Sequence, residues 1–214
     1  TQKEQLEATG RHGKPPASVM LDAGILELPV TAAHCVWITD SDMELLAEKK
    51  VTVAHCPQSN LKLGSGIARI QKMRHSGINV ALGTDSAASN NNLDMFQEVK
   101  AAALLAKGVS LNPCEMPAGD ALYMATRAGA LSQERDDSGD IIQGNRADFV
   151  ILNTRQPAMI PCHNVLSNVI YAAGAGDVEM TVVDGRVLYR NGVYTTLDIE
   201  RIMYEVNRCV NALI

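Results

Sequence analysis

The chain has 214 residues, of which 46% are hydrophobic, so it is long and apolar enough to form one large domain or two small ones. Its net charge is −5 and its basic residues do not cluster, which argues against nucleic acid or an anionic membrane surface as a partner. It contains no apolar run near the roughly 18 residues that cross a bilayer, and its first residues do not resemble a signal peptide. The five cysteines have no framework spacing, which is typical of a reducing cytosol and predicts a cytoplasmic location.

Two short helices are predicted before the first strand. Residues 1–10 have the pattern of an amphipathic helix that ends at Gly10, and residues 18–26 predict a second helix. Because the chain opens inside a helix and lacks an initiator methionine, we expect it to be part of a longer protein.

Three successive strand–helix units follow. Residues 30–36 and 51–57 share the pattern Val-Thr-x-Ala-His-Cys and each predicts a buried strand, while residues 80–85 form an apolar run that ends in Asp85. Units repeated in this way predict a parallel α/β array. A complete (β/α)8 barrel requires about 250 residues, so three units are only part of one.

The segments between these strands carry helix and turn signals. Thr39 followed by Asp42 predicts a capping box at the start of the first helix. Further predicted elements are a polar loop over 58–66, a helix over 67–75, a helix from 90–92 to about 106 that Gly108 closes, and a helical region over 113–130 that Pro117 kinks or restarts.

The pattern changes at Ser138, which divides the chain into a partial barrel over 1–137 and a small β domain over 138–214. Asp184-Gly185 is a two-residue hairpin signal. A terminal helix, capped by Thr196 or Asp198, carries one apolar stripe. The predicted strands of this domain cover 147–152, 165–172, 180–183 and 186–190, with a second turn at 191–192.

Candidate catalytic residues occur where the predicted parallel strands end. His34, His55 and Asp85 lie near the carboxyl ends of their strands, the edge where barrel enzymes carry their chemistry. Imidazole and carboxylate are ligands for zinc and iron, so these residues suit a metal site. The alternative is two hydrogen-bonded core histidines and an aspartate that only caps a helix. Cys35 and Cys56 follow the histidines directly, and strand alternation turns them to the other face, so both are interpreted as small buried apolar residues.

Other polar segments give weaker signals. The loop over 58–66 either lines a pocket or forms an ordinary turn with a helix cap. His12, His75 and His163 lie in predicted loops or at a helix end, and we expect them on the surface.

Three ordered motifs resemble those of the amidohydrolase superfamily, most specifically its methylthioadenosine/S-adenosylhomocysteine deaminases and their triazine-hydrolysing relatives. The motifs are TAAHCV over 31–36, HCPQSNLKL over 55–63 and LGTDSAASN over 82–90. Downstream, residues 139–148 and the TVVDG hairpin over 181–185 are similar to the C-terminal β domain of that superfamily.

The resemblance implies that the three strands are the last three of a TIM-like (β/α)8 barrel, followed by a composite β-sandwich and a C-terminal helix. It implies that Asp85 ligates the metal, zinc or iron, and shuttles the proton of its water. His34 is implied to orient the nucleophile and to stabilise the tetrahedral adduct, so His34 and Asp85 are the expected catalytic residues. His55, Ser59 and Asn60 are the expected substrate-binding residues.

Two ligand motifs of that superfamily are absent from the sequence, since no His-x-His pair occurs and no histidine is followed three residues later by Glu. The first-strand and fifth-strand ligands are therefore missing, and of the four expected ligands only Asp85 remains. We expect this chain to be the C-terminal half of a cytosolic deaminase that acts on an adenosine-type thioether nucleoside. We expect this half to be inactive alone and paired with its N-terminal half or a second copy. The alternatives are a triazine-type chlorohydrolase or aminohydrolase, and a catalytically inactive scaffold.

Overall fold

The computed structural model describes residues 1–213, which contain one parallel and one antiparallel sheet. The parallel sheet has the order β1 (Thr31–Ala33), β2 (Thr52–His55), β3 (Asn79–Leu82), and both of its strand pairs are in register over their length. The antiparallel sheet has the order β4 (Phe149–Leu152), β5 (Val178–Val183), β6 (Arg186–Arg190), β7 (Val193–Tyr194). The predicted mixed α/β architecture with a parallel sheet is confirmed.

Helices connect the strands, and several of them pack against β3 of the parallel sheet. In chain order they are α1 (Gln2–His12), α2 (Pro16–Asp22), α3 (Asp40–Glu48), α4 (Pro57–Lys62), α5 (Ile70–His75), α6 (Ala87–Asn90), α7 (Met95–Ser110), α8 (Ala118–Ala125), α9 (Arg127–Leu131), α10 (Val165–Tyr171) and α11 (Ile199–Asn211). Single turns of 3₁₀ helix cover Ile25–Glu27, Pro157–Met159 and Ala175–Asp177. No helix within residues 1–213 is both long and apolar enough to span a lipid bilayer.

The core lies between the parallel sheet and its helices and is mainly aliphatic. Val53 of β2 and Val80 of β3 are buried, as are methionines of α3, α5 and α8. Strands covered on both faces are read from sequence as continuous apolar runs, which is why β2 and β3 were predictable. In contrast, Thr31 and Ala33 of β1 are exposed.

Local signals with a defined geometry are confirmed. The side chains of Thr39 and Asp42 form the predicted capping box with each other's backbone N–H groups at the start of α3. Asp184 and Gly185 have φ of 50° and 73° and join β5 to β6, as a two-residue hairpin of the primed type requires. Asp198 caps α11 by accepting a hydrogen bond from the backbone of Arg201.

The segment after β2 is a helix, so the prediction of a polar loop over 58–66 is wrong for its first half. Pro57 occupies the first helical position of α4, where its fixed φ and missing N–H are tolerated. The loop interpretation took Pro57 as a strand terminator only. As a consequence, Ser59 and Asn60 lie on a helix rather than in a turn.

A predicted strand over 165–172 is also wrong, because these residues form α10. The side chain of Asn164 accepts a hydrogen bond from the backbone of Ser167 and caps this helix. Two glycines that were expected to end helices, Gly10 and Gly108, lie inside α1 and α7. Pro117 immediately precedes α8 and so restarts the helical region instead of kinking it.

The helix after β3 begins later than predicted. Asp94, not the run 90–92, caps α7 by accepting a hydrogen bond from the backbone of Phe96. The run itself closes the short helix α6, with Asn91 in the left-handed conformation at φ 65°. Between Asp85 and α7 the chain therefore forms the short helix α6 and then a turn at Asn91.

Candidate functional site

Three of the predicted site residues gather at the carboxyl ends of the parallel strands. His34 directly follows β1, His55 is the last residue of β2, and Asp85 lies three residues beyond β3. His34 and Asp85 both have left-handed backbone conformations, with φ of 66° and 58°. Non-glycine residues adopt this conformation at an energetic cost and are concentrated at functional sites.

His34 and Asp85 form a close pair. The Nε2 atom of His34 lies 3.7 Å from Oδ2 of Asp85, and the two side chains keep 39% and 29% of their surface exposed. They border a cavity of about 850 Å³, which Ser59, Asn60 and Trp37 also line. The pair is therefore accessible to a small molecule from this cavity.

Adjacent residues of α4 orient the two members of the pair. The hydroxyl of Ser59 donates to Oδ2 of Asp85 at 2.6 Å, and Oδ1 of Asn60 lies 2.8 Å from Nδ1 of His34. An amide oxygen only accepts hydrogen bonds, so Nδ1 of His34 donates to Asn60 and Nε2 faces Asp85. Ser59 and Asn60 are both buried, and their hydrogen bonds hold His34 and Asp85 in place.

The hydrogen bonds around Asp85 keep it ionised. The Ser59 hydroxyl, with smaller contributions from Ser89 and the backbone of Ser86, lowers the pKa of Asp85 to about 2. Hydrogen bonds to a carboxylate favour its charged form. At neutral pH, Asp85 is thus a carboxylate that can accept a proton or bind a cation.

His55 lies deeper than the pair. Its side chain is only 2% exposed, and burial, followed by the nearby His34, lowers its pKa to about 4. Its Nδ1 has no hydrogen-bond partner within residues 1–213. The His55 ring is therefore neutral at physiological pH. The expectation that His55, Ser59 and Asn60 bind substrate stays a prediction.

The cysteines and the remaining histidines that the sequence analysis discussed are not members of the pair, although Cys35 lines the same cavity. Burial raises the pKa of the Cys35 and Cys56 thiols to about 11, which suits the interpretation as small apolar residues. The alternation argument does not hold for Cys35, because β1 ends at Ala33 and Cys35 has φ of 47°. His12, His75 and His163 are exposed as expected.

One residue near the site, Glu98, was missed by sequence reasoning. Glu98 of α7 is fully buried and accepts a hydrogen bond from Nδ2 of Asn90 at 2.6 Å. The available signal was the position of Glu98 on the apolar stripe of α7, next to Val99 and one turn before Ala102. An acid on such a stripe is rarely buried without a polar partner.

The imidazole of His34 and the carboxylate of Asp85 are groups that bind zinc, but two groups are fewer than a catalytic zinc site uses. Zinc prefers imidazole nitrogen and carboxylate oxygen, and catalytic sites use three protein ligands. No group of three His, Cys, Asp or Glu side chains that would hold a metal occurs within residues 1–213. His34 and Asp85 are therefore at most part of a metal site. Beside them, the buried Nδ2 atom of Asn60 has no hydrogen-bond partner within residues 1–213.

Known proteins resemble this chain in sequence and in fold. The chain is 46% identical over 210 residues to a 5-methylthioadenosine/S-adenosylhomocysteine deaminase from Moorella thermoacetica, an alignment that covers 97% of this chain and 49% of the relative. The fold is similar to an adenosine deaminase from Xanthomonas campestris with bound zinc, with a TM-score of 0.95, 32% identity, and coverage of 99% of this chain and 48% of that one. It is also similar to the atrazine chlorohydrolase TrzN from Arthrobacter aurescens TC1, complexed with zinc, with a TM-score of 0.88, 26% identity, and coverage of 95% and 46%.

The chain thus spans about half the length of the curated relatives it matches. The family model that matches, described as the amidohydrolase family, covers residues 1–188. It therefore includes the parallel sheet, the His34–Asp85 pair and most of the antiparallel sheet. The chain belongs to the amidohydrolase family.

Proposed function

We propose that this chain is the C-terminal half of a metal-dependent aminohydrolase that deaminates an adenosine-type thioether nucleoside. The observation that carries the proposal is the His34–Asp85 pair, which α4 orients toward an open cavity. The substrate class is supported by the name of the Moorella relative, a 5-methylthioadenosine/S-adenosylhomocysteine deaminase.

The proposed architecture is the last three strands of a (β/α)8 barrel over 1–137 and a β domain over 138–214. The parallel order β1-β2-β3 and the site at the carboxyl ends of the strands support the first assignment. The antiparallel sheet β4–β7 would be one layer of a composite β-sandwich. Exposed apolar side chains on β4 to β7, including Val150, Ile151 and Val193, support a covering layer.

Asp85 and His34 have separate roles in the proposed reaction. Asp85, which is ionised at neutral pH, accepts the proton of the attacking water and later delivers it to the amino group that leaves as ammonia. His34 presents a free Nε2 on the same side, since Asn60 holds its proton on Nδ1, and so orients the attacking water and the tetrahedral adduct. Ser59 keeps Asp85 charged and correctly directed.

Zinc is the proposed cofactor, with iron as the alternative. Asp85 would be a ligand, and the first-strand and fifth-strand ligands would come from outside this chain. When bound, the metal lowers the pKa of a water molecule toward neutrality and so supplies a nucleophile. The bound zinc named for the two structural neighbours supports this choice.

The proposed partners are the small-molecule substrate and the missing half of the protein, its own N-terminal half or a second copy. The open edge of β1 and the exposed side chains of Thr31 and Ala33 support a partner there. A cytoplasmic location is proposed from the cysteine content and spacing.

A triazine-type hydrolase is a second candidate function, favoured by the TM-score of 0.88 to the atrazine chlorohydrolase. The lower identity of 26% to that enzyme, against 46% to the deaminase, ranks it second. A catalytically inactive scaffold is the third, and the incomplete ligand set of this chain is what favours it.

The Moorella deaminase aligns with this chain over only 49% of its own length. The proposal is tested by assembling this chain with the part of that deaminase outside the alignment, which is the complementary half. The assembled protein is loaded with zinc and incubated with methylthioadenosine or with atrazine, and ammonia and chloride release are measured. We expect ammonia from methylthioadenosine, no chloride from atrazine, and a loss of about 10²–10⁴-fold in rate for His34→Ala. Chloride release alone would support the triazine hydrolase, and an assembled protein that turns over neither compound would support the scaffold.

A further inference from the structure

A single buried carboxylate connects the two segments that carry the His34–Asp85 pair. Glu98 of α7 has 0% of its surface exposed. Its Oε1 accepts a hydrogen bond from Nδ2 of Asn90 at 2.6 Å, and its Oε2 accepts one from the backbone N–H of Gln58 at 3.3 Å. A buried charge of this kind is costly unless it is hydrogen-bonded, and Glu98 uses both oxygens.

Each of these hydrogen bonds ends next to a member of the site. Gln58 is followed by Ser59, which donates to Asp85, and by Asn60, which contacts Nδ1 of His34. Asn90 donates through the same Nδ2 to the backbone carbonyl of Thr84 at 2.7 Å, and Thr84 directly precedes Asp85. Glu98 is thus linked to α4 on one side and to the Asp85 loop on the other.

We infer that Glu98, acting through Asn90 and Gln58, is a positioning residue that fixes Asp85 and His34 relative to each other. The inference rests on the proposed function. Glu98 touches neither His34 nor Asp85, so it acts only through the relative placement of α4 and the Asp85 loop. Lys62 bridges the same two segments from the solvent side, where its ammonium group donates to the carbonyl of Ala88 at 3.0 Å.

A role in stability alone would not require a carboxylate at this position. Replacing both partners of a buried polar pair by apolar groups of similar shape is often neutral for stability. Burial raises the pKa of Glu98, while the N–H groups of Gln58 and Asn90 act in the opposite direction. Through these two hydrogen bonds one buried side chain ties α4 to the Asp85 loop, in addition to the contacts that Ser59 and Lys62 make between the same segments.

The test compares Glu98→Gln with Val99→Ala in the zinc-loaded assembly of this chain with the complementary deaminase half. Glu98→Gln keeps the shape but turns one acceptor into a donor, so one of the two bonds is lost. We expect kcat for methylthioadenosine to fall about 10–100-fold, the range for groups that orient metal-site residues, with KM changed by less than about threefold. Val99 is buried in the hydrophobic core on the same helix, so Val99→Ala should lower the melting temperature yet retain kcat.

A second readout uses the 214-residue chain by itself. Long-range ¹H–¹⁵N spectra of the histidine-labelled chain report which ring nitrogen of His34 carries the proton. We expect the proton on Nδ1 in the parent chain and in Val99→Ala, and a mixture of both tautomers in Glu98→Gln. Asn90→Ala, which breaks the link to Thr84, should act in the same direction if Glu98→Gln proves insoluble.

The outcomes separate the two proposals. An assembly of the parent chain that lacks turnover contradicts the proposed function, and the tautomer of His34 then decides the role of Glu98. Unchanged kcat or an unchanged His34 tautomer in Glu98→Gln would overturn the positioning role. Equal losses of kcat in Glu98→Gln and Val99→Ala at matched melting temperatures would also overturn it, because the effect would then be one of stability.

Discussion

His34 and Asp85 approach to 3.7 Å between Nε2 and Oδ2, although they follow β1 and β3, which pair with β2 and not with each other. The gap above β2 is bridged by α4, whose residues Ser59 and Asn60 bind one member of the pair each. The helix that follows the middle strand thus sets the geometry between residues of the outer strands.

Replacing Asp85 tests the catalytic assignment. Asp85→Asn removes both a negative charge and the proposed proton acceptor, so deamination by the assembled protein should fall by at least about 10²–10⁴-fold. The far-ultraviolet circular dichroism should stay unchanged, since the exposed side chain supports no core contact. Asp136→Asn, at a side chain that is 91% exposed, is the control. Activity of Asp85→Asn within about tenfold of the parent would contradict the assignment.

Removing the hydroxyl of Ser59 should change the acidity of Asp85. The Ser59 hydrogen bond is the largest cause of the lowered pKa of Asp85, which is about 2 against a usual 3.8. In Ser59→Ala the charged form loses this bond, so the pKa of Asp85 should rise toward its usual value. Carboxyl ¹³C shifts of the labelled, metal-free chain over an acid titration measure it, with the exposed Ser76→Ala as control. An Asp85 that titrates identically in both variants would show that Ser59 has no such effect.

Much of the framework was predictable because its signals are local. The capping box of Thr39 and the hairpin at Asp184-Gly185 depend on residues a few positions apart, and both formed as predicted. Strands β2 and β3 were recognisable as apolar runs. The error at 165–172 arose because Val165, Val169 and Ile170 favour strands in isolation, whereas the cap at Asn164 and packing of the buried Ile170 select a helix.

The candidate site was predictable in its residues but not in its connections. His34 and Asp85 were candidates from their position at the strand ends, and the resemblance supplied the roles of Ser59 and Asn60. The hydrogen bonds among these four residues depend on α4, which sequence reasoning treated as a loop. Glu98 was missed because an acid in a helix is usually solvated. The tertiary contact with Asn90 shows that it faces inward, as its place on the apolar stripe of α7 would have indicated.

The buried imidazole of His55 predicts a pH-dependent stability. Its pKa in the folded chain is about 4, below the usual 6.5, so between these values the unfolded chain binds more protons and the free energy of unfolding rises with pH. One pKa unit corresponds to about 1.4 kcal/mol, so acidification through this window should cost roughly 3 kcal/mol.

Urea denaturation of the chain across that window measures this effect. In His55→Gln the pH dependence should be smaller by that amount, while His75→Gln, at an exposed position, should behave like the parent. If the parent and His55→Gln lose stability in parallel on acidification, His55 does not remain neutral in the folded chain.

The open edge of β1 predicts association. Strand edges with unpaired backbone groups and apolar neighbours attract further strands, and Ala33 on this edge is exposed. Sedimentation velocity of the chain alone should therefore show self-association that the complementary deaminase half suppresses. Ala33→Lys should weaken self-association, whereas Leu111→Lys, at an apolar side chain that is 89% exposed elsewhere, should not. A monomer at every concentration, with or without the other half, would contradict this prediction.

Asp85, with His34 beside it, is proposed to belong to a metal site that is completed from outside this chain. Elemental analysis of zinc after extensive dialysis tests it most directly, on the chain alone and on the chain assembled with the complementary deaminase half. We expect close to zero equivalents on the chain alone, because it supplies fewer than the three ligands of a catalytic zinc site. About one equivalent should remain on the assembly and be lost in Asp85→Asn. A full equivalent retained by the chain alone, or none retained by the assembly, would contradict the account.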